Sequence, residues 1–202
     1  EEYLHAESTL PPLIRLGLIH YQFEAIHPFL DGNGRIGRLL IVLLLMIWQL
    51  LPAPLLYLSA YFETHRQSYY DLLLAVSQRG DWEDWLIFFL QGITSQARDA
   101  VLRAGRLQTL REHYRQQLQA QRATAKLLQV IDLLFLRPVV TIQQVEAEIE
   151  VTFATASKYV SQLQDKAILR EITGQVRNRV FIAEAILRTI EEPISPDSES
   201  HP

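Results

Sequence analysis

The sequence predicts a mainly α-helical chain in two units: a helical N-terminal unit, and a smaller C-terminal one that closes on a short β-hairpin. Three observations predict this. Apolar residues recur every three or four positions near the start, at Leu13, Leu16, Ile19, Phe23 and Ile26, which is the period of one helix face. A polar Arg/Gln-rich stretch, Arg103 to Arg122, parts two apolar halves. Only beyond Leu169 does the pattern shorten to two runs about Gly174, as a hairpin requires.

The elements follow in order. The first helix is expected from Leu10 to about Glu24, capped by Ser8 or Thr9, with Pro11 and Pro12 in a first turn that needs no amide partner. Residues 27–33 read as a loop, because His-Pro opens it and Asp-Gly and Asn-Gly are turn dipeptides. A second helix starts at Gly34 or Arg35 and runs to about Leu51, where Pro52 and Pro54 end it. Its apolar run, Leu39 to Trp48, is too short to span a bilayer and is expected as a buried core helix. A short turn at Ser59 to Phe62 and a helix from Thr64 to Gln78 come next, closed by Arg79-Gly80. Asp81 is positioned to cap the following helix, with Glu83 and Asp84 at its positive end. That helix carries Trp82, Trp85, Leu86, Phe88, Phe89 and Ile93, and is expected to continue to about Arg122 as an exposed connector.

The expected organisation is therefore a helical domain over 1–102, a connector over 103–123, a second domain over 124–187 and a disordered tail over 188–202, rich in Pro, Ser and acid. Within the second domain the order is helix (Ala125 to Leu136), a break at Arg137-Pro138, helix (Ile142 to Glu148), helix (Phe153 to Lys166), then strands Leu169 to Thr173 and Arg179 to Ile182. Helix, helix-turn-helix and hairpin is the order of a winged helix.

Composition excludes several classes. The 202 residues carry a formal net charge of -4, which argues against a protein that coats nucleic acid non-specifically. There is no cysteine, so disulfides, thiolate metal sites and cysteine nucleophiles are excluded, and a reducing, cytoplasmic setting is expected. The opening residues lack the basic and apolar regions of a signal peptide, and no membrane partner is expected.

Chemistry concentrates in H-P-F-L-D-G-N-G-R-I-G-R, residues 27–38. A helix start preceded by Gly32, Asn33 and Gly34 offers inward-pointing amides and the positive end of a helix dipole, together an anion site. Arg35 and Arg38, three apart, add two guanidinium groups near that turn, a set suited to a polyphosphate. Asp31, a carboxylate beside phosphate oxygens, is the usual arrangement for Mg²⁺. His27 is the side chain that can take a proton from a hydroxyl near neutral pH. Together these would activate a hydroxyl, hold a magnesium nucleotide and stabilise charge during transfer of a phosphorus group. His5, His20, His65, His113 and His201 match no metal-binding spacing and read as structural. Tyr61, Phe62, Tyr69, Tyr70, Trp82, Trp85, Phe88 and Phe89 read as core.

This stretch resembles the signature of Fic domains, H-P-F-x-[D/E]-G-N-G-R-x-x-R, at every specified position. T-L-P-P-L-I-R upstream, Y-F-E-T-H-R-Q-S-Y-Y-D-L-L at 61–73 and G-D-W-E-D-W-L-I-F-F-L at 80–90 are similar to flanking helices of bacterial Fic proteins, some of which also end in a winged helix. The resemblance implies transfer of AMP from ATP to a Ser, Thr or Tyr hydroxyl of a target protein, with some relatives running the reverse removal. By the same resemblance His27 would deprotonate the hydroxyl, and Asp31 would bind Mg²⁺ on the α and β phosphates. Gly32, Asn33 and Gly34 would form the anion hole, while Arg35 would contact the phosphates and Arg38 the γ-phosphate. The family's β-hairpin flap is not recognisable before His27, which leads to the expectation of an N-terminally truncated domain. The nearest match to the family's inhibitory motif is S-A-Y-F-E-T at 59–64, which reads as a core helix.

The alternative function is a DNA-binding regulator whose helical half serves nucleotide binding or assembly. Its contacts would come from Thr155, Ser157, Lys158 and Gln162 on the recognition helix and from Arg177 and Arg179 by the wing, although Glu146, Glu148, Glu150 and Glu171 lie nearby. Homodimerisation or docking of the target protein are equal uses for that module.

Overall fold

The computed structural model describes residues 9–175 and 177–191. The expected cap Ser8, the histidines His5 and His201, and residues 192–202 of the expected tail lie outside the described residues. The chain divides into two compact units, 1–100 and 101–202. Each has its own hydrophobic core.

In the first unit, α1 spans Pro12–Ile26, α2 Asn33–Ile47, α3 Leu58–Thr64 and α4 Arg66–Arg79, and α5 starts at Trp82 and ends at Gln119. Helix α1 starts at Pro12 because proline there fits the first turn, and no side chain caps it. It buries Leu16, Gly17, Ile19, His20 and Tyr21. Ile26, expected in the core, is exposed, because the helix ends at His27 before that face turns inward. Trp85 and Phe89 of α5 fill the centre. The Trp85 indole N–H donates to the Gly17 carbonyl at 3.0 Å. A methyl group at Gly17 would lie 2.9 Å from Leu86 and 3.1 Å from Phe89, so glycine lets α1 and α5 touch.

Helix α2 is only half a core helix, contrary to the expectation. Ile41, Leu44 and Leu45 are buried, whereas Leu39, Leu43 and Ile47 are exposed. The run is apolar on all sides in the sequence, and only packing chose which side is buried. Helices α3 and α4, expected as a turn at Ser59 to Phe62 and a helix from Thr64, meet at His65. The αL glycine Gly80 closes α4 (φ 74). Asp81 is held by Arg79 at 2.7 Å.

The second unit holds the C-terminal half of α5, then α6 (Ala125–Leu136), β1 (Val139–Thr141), α7 (Ile142–Ile149), α8 (Phe153–Asp165), β2 (Arg170–Glu171), β3 (Val180–Ile182) and α9 (Glu184–Glu191). Segment 103–123 corrects the expected exposed connector. Tyr114 and Leu118 are buried in the C-terminal core, and Arg111 and Arg115 pair with Asp132 at 2.7 and 3.0 Å. Its polar composition reflects one solvated face around a sparse apolar seam. The three strands form an antiparallel sheet in the order β1-β3-β2, with Val140 opposite Phe181 and Glu171 opposite Phe181 on its other side. Strand β1 was not foreseen, because three residues after a proline carry too little pattern. The tail does not begin at 188: residues to Glu191 are helical and bury Ile186.

Candidate active site

The site is built at the junction of α1 and α2. His27 ends α1 in a left-handed conformation (φ 50, ψ 58), its N–H bonded to the Phe23 carbonyl at 3.1 Å. Side-chain-bearing residues seldom adopt that geometry. Here it breaks the helix sharply and leaves the imidazole at the loop edge. Gly32 (φ 82) is the next left-handed residue and precedes α2.

Asn33 is 2% exposed and braces the loop. Its Oδ1 accepts the Phe29 N–H at 2.9 Å and its Nδ2 donates to the Phe29 carbonyl at 2.6 Å. The side chain expected to face phosphate is therefore committed to the loop, and its contribution to an anion is its backbone N–H. The Gly32 N–H is likewise engaged, by Asp31 Oδ1 at 2.7 Å. Ile36 N–H starts the intrahelical ladder, bonding to the Gly32 carbonyl at 3.0 Å. That leaves the amides of Asn33, Gly34 and Arg35 as the donors that a helix start cannot satisfy itself.

Arg35 pairs with Asp31 at 3.3 Å, with the two side chains 76% and 92% exposed. An exposed pair of this kind is worth at most about 1 kcal/mol, so an anion can draw Arg35 away. Arg38 is more firmly set: its Nε donates to Ser59 Oγ of α3 at 2.9 Å. A methyl group at Gly34 would lie 3.0 Å from Arg38 Nη1, so this glycine makes room for the guanidinium.

These residues meet in one open cleft of about 370 Å³, lined by His27, Leu30, Asp31 and residues 32–35, Arg38 and, from α3 and α4, Phe62, Glu63, Arg66, Tyr69 and Tyr70. All seven motif residues picked out from the sequence are thus brought together. Missed were the wall from α3 and α4 and Ser59, because nothing in linear sequence says which distant helix closes a loop. Tyr70, read as core, is 55% exposed and in the cleft; Trp82, also read as core, is 39% exposed.

Beneath the cleft lies His20, 1% exposed, its Nε2 3.0 Å from the Tyr69 hydroxyl and its ring stacked on Phe62. Burial pushes this imidazole down to about 3, so it stays neutral. Burial, and then the Glu24 charge, push the Tyr69 phenol up. His20 is structural.

Residues 1–45 match the Fic/DOC family. Residues 127–181 match a family described as an HTH DNA binding domain. Over 48 residues the chain is 52% identical to "Protein adenylyltransferase Fic" of Drosophila erecta, covering 23% of this chain and 10% of that protein. It is 47% identical over 47 residues to "Protein adenylyltransferase fic-1" of Caenorhabditis elegans, covering 22% and 9%. The match thus spans about a tenth of those relatives. A Fic family protein from Desulfovibrio desulfuricans G20 superposes with a TM-score of 0.47 at 19% identity, covering 90% of this chain and 52% of that one.

Apart from the Fic/DOC segment, the C-terminal candidates are dispersed. Thr155 is spent locally, its hydroxyl 2.9 Å from that of Thr152, which caps α8. Ser157 is half-buried. Arg179 is not a free wing cation: it pairs with Glu171 at 3.7 Å and lies over the Phe181 ring at 5.4 Å. Arg177 and Lys158 are exposed. Lys158 shares a cavity of about 250 Å³ with Gln162, Arg122, Lys166 and the carboxylate Asp165, a mainly basic cluster the sequence did not reveal because Arg122 lies far from α8 in the chain. Among the described residues no helix is long and apolar enough to cross a membrane.

Proposed function

We propose that this chain is a protein adenylyltransferase that moves AMP from Mg-ATP to a hydroxyl of a target protein, the α–β phosphoanhydride bond breaking and pyrophosphate leaving as the new bond to the hydroxyl oxygen forms. The observation that supports this most is the convergence of His27, three helix-start amides, Arg35 and Arg38 on one cleft, with Asp31 at its lip.

The chemistry follows from the residues. A hydroxyl is a poor nucleophile until its proton is taken, and the His27 imidazole at the cleft edge is the base available. Charge growing on the phosphate oxygens meets the amides of 33–35 and the dipole of α2. Arg38, pre-set by Ser59, holds the far end of the triphosphate, and Arg35 swings from Asp31 onto it. Release of Arg35 frees the Asp31 carboxylate. No group of three or more acidic or histidine ligands occurs among the described residues. A lone carboxylate fits Mg²⁺, which binds through one or two carboxylates plus phosphate oxygens and water. Asp31 would hold the ion, which when bound neutralises phosphate charge.

The test is incubation of the full chain with ATP labelled at the α-phosphate, Mg²⁺ and a lysate. Label should pass to protein, and His27→Ala should reduce transfer by at least about 100-fold while nucleotide affinity stays within about 3-fold. Equal loss of binding and transfer would count against His27 as a base. Release of AMP from a labelled target would identify the reverse reaction.

A second reading, a DNA-binding regulator, is favoured by the helix-turn-helix match and the basic cluster of Lys158, Arg122 and Lys166. It requires duplex binding that weakens steeply with salt and drops on Lys158→Ala; no binding at low salt eliminates it.

A further inference from the structure

The two arginines of the cleft are held differently. Arg35 pairs with Asp31, and both side chains are exposed. Arg38 lies in a slot. On one side its Nε donates to Ser59 Oγ at 2.9 Å, a contact between residues 21 positions apart. On the other side its Nη1 faces Gly34, where a methyl group would stand only 3.0 Å away. A hydroxyl and a bare glycine thus leave room for one orientation of the guanidinium. Donation through Nε still leaves the Nη1 and Nη2 hydrogens, the fork that can take two oxygens of a phosphate. The hydroxyl is itself fixed. Ser59 is half-buried in the first turn of α3, and Leu58 and Phe62 of that helix are packed in the core of the first unit.

This difference bears on selectivity. A free arginine must give up much of its rotamer freedom to grip a ligand, whereas one already set does not. Arg38 also stands three residues beyond Arg35, about 4.5 Å further along α2. A loosely paired arginine adapts to whichever phosphate is present, but a fixed one favours a phosphate chain of a set length.

We propose that Ser59 is a positioning residue that makes the cleft select a nucleoside triphosphate over the diphosphate: its hydroxyl holds the Arg38 fork where the terminal phosphate of the longer chain arrives, and the shorter chain does not reach it. The proposal rests on the reading of Arg38 as the residue that holds the far end of the triphosphate. Ser59 acts through Arg38 and takes no part in proton transfer.

Two measurements on the full chain test this. The first is calorimetric affinity, with Mg²⁺, for the non-cleavable pair α,β-methylene-ATP and α,β-methylene-ADP. Wild type should prefer the triphosphate. Ser59→Ala should cut that preference about 3- to 10-fold, the loss falling on the triphosphate. Ser59→Thr keeps the hydroxyl and should keep most of the preference. Arg38→Met should erase it, and adding Ser59→Ala to Arg38→Met should change nothing further. An unchanged preference in Ser59→Ala overturns the proposal. So do equal losses for both ligands with lower thermal stability, which mean a packing role only. The second measurement needs no nucleotide. Exchange of the Arg38 Nε–H with water, followed by ¹H–¹⁵N NMR, should quicken about 5-fold or more in Ser59→Ala; no change overturns the contact on which the proposal stands. If wild type binds neither nucleotide, the adenylyltransferase reading fails and takes the selectivity with it. If wild type prefers the triphosphate and Ser59→Ala does so equally, the role of Ser59 alone fails.

Discussion

A single backbone conformation decides where the His27 imidazole lies. His27 is left-handed, at φ 50, a region that costs a side-chain-bearing residue about 1–2 kcal/mol. The sequence marks it only as the residue before a proline. Its neighbour about two turns back, His20, shows the opposite fate of the same residue type. Enclosed by Phe62, Tyr69, Trp85 and Phe89, it is held neutral with its pKa lowered to about 3. In the unfolded chain it takes a proton near 6.5. The unfolded state thus binds more protons between those values, so stability falls as pH drops from about 6.5 to about 3, by at most about 5 kcal/mol from this group. Urea unfolding of wild type and His20→Gln at a series of pH values checks this. The variant should be less stable at pH 7 and show a shallower decline below 6.5.

Among the elements, α2 presents the site at its start, where no side chain caps it and its first residue, Asn33, bonds back to the Phe29 backbone of the preceding loop. Helix α7 in the second unit is the contrast. Thr141 and Gln144 form a reciprocal capping box, Gln144 N–H to Thr141 Oγ1 at 3.2 Å and Thr141 N–H to Gln144 Oε1 at 2.8 Å. Thr141 also ends β1, so one residue terminates a strand and starts a helix. Thr141→Ala should destabilise this unit by about 1 kcal/mol, read as a lower urea midpoint with unchanged slope. The cap was legible once a helix at Ile142 was recognised, while the strand before it was not, since its three residues are defined by partners 39 to 43 positions away.

At the scale of the molecule there are two cores, one around Trp85 and Phe89 and one around Leu134 and Phe181, and they share no buried residue. Substitutions in one should act mainly on its own unfolding. Leu134→Ala should cost the second unit about 2–5 kcal/mol. Hydrogen exchange resolved by residue should then show faster opening through α6, α7 and α8, with amides of α1 and α2 changed little. Uniform acceleration in both cores would show that they unfold as one. The long helix α5 makes this a sharp test, since Trp85 belongs to the first core and Leu118 to the second.

The sequence alone determined that the candidate site residues lie together, because His27, Asp31, the glycines and both arginines fall within twelve positions and a helix start enforces their proximity. It also determined that most of the chain is helical, since the 3.6-residue period is local. Tertiary structure decided the rest. Which stripe of α2 faces inward, which helices wall the cleft, why Gly17 must be glycine and how Ser59 reaches Arg38 all depend on contacts between segments far apart in the chain. Local periodicity records what a residue can bury, and only packing selects the partner it is buried against.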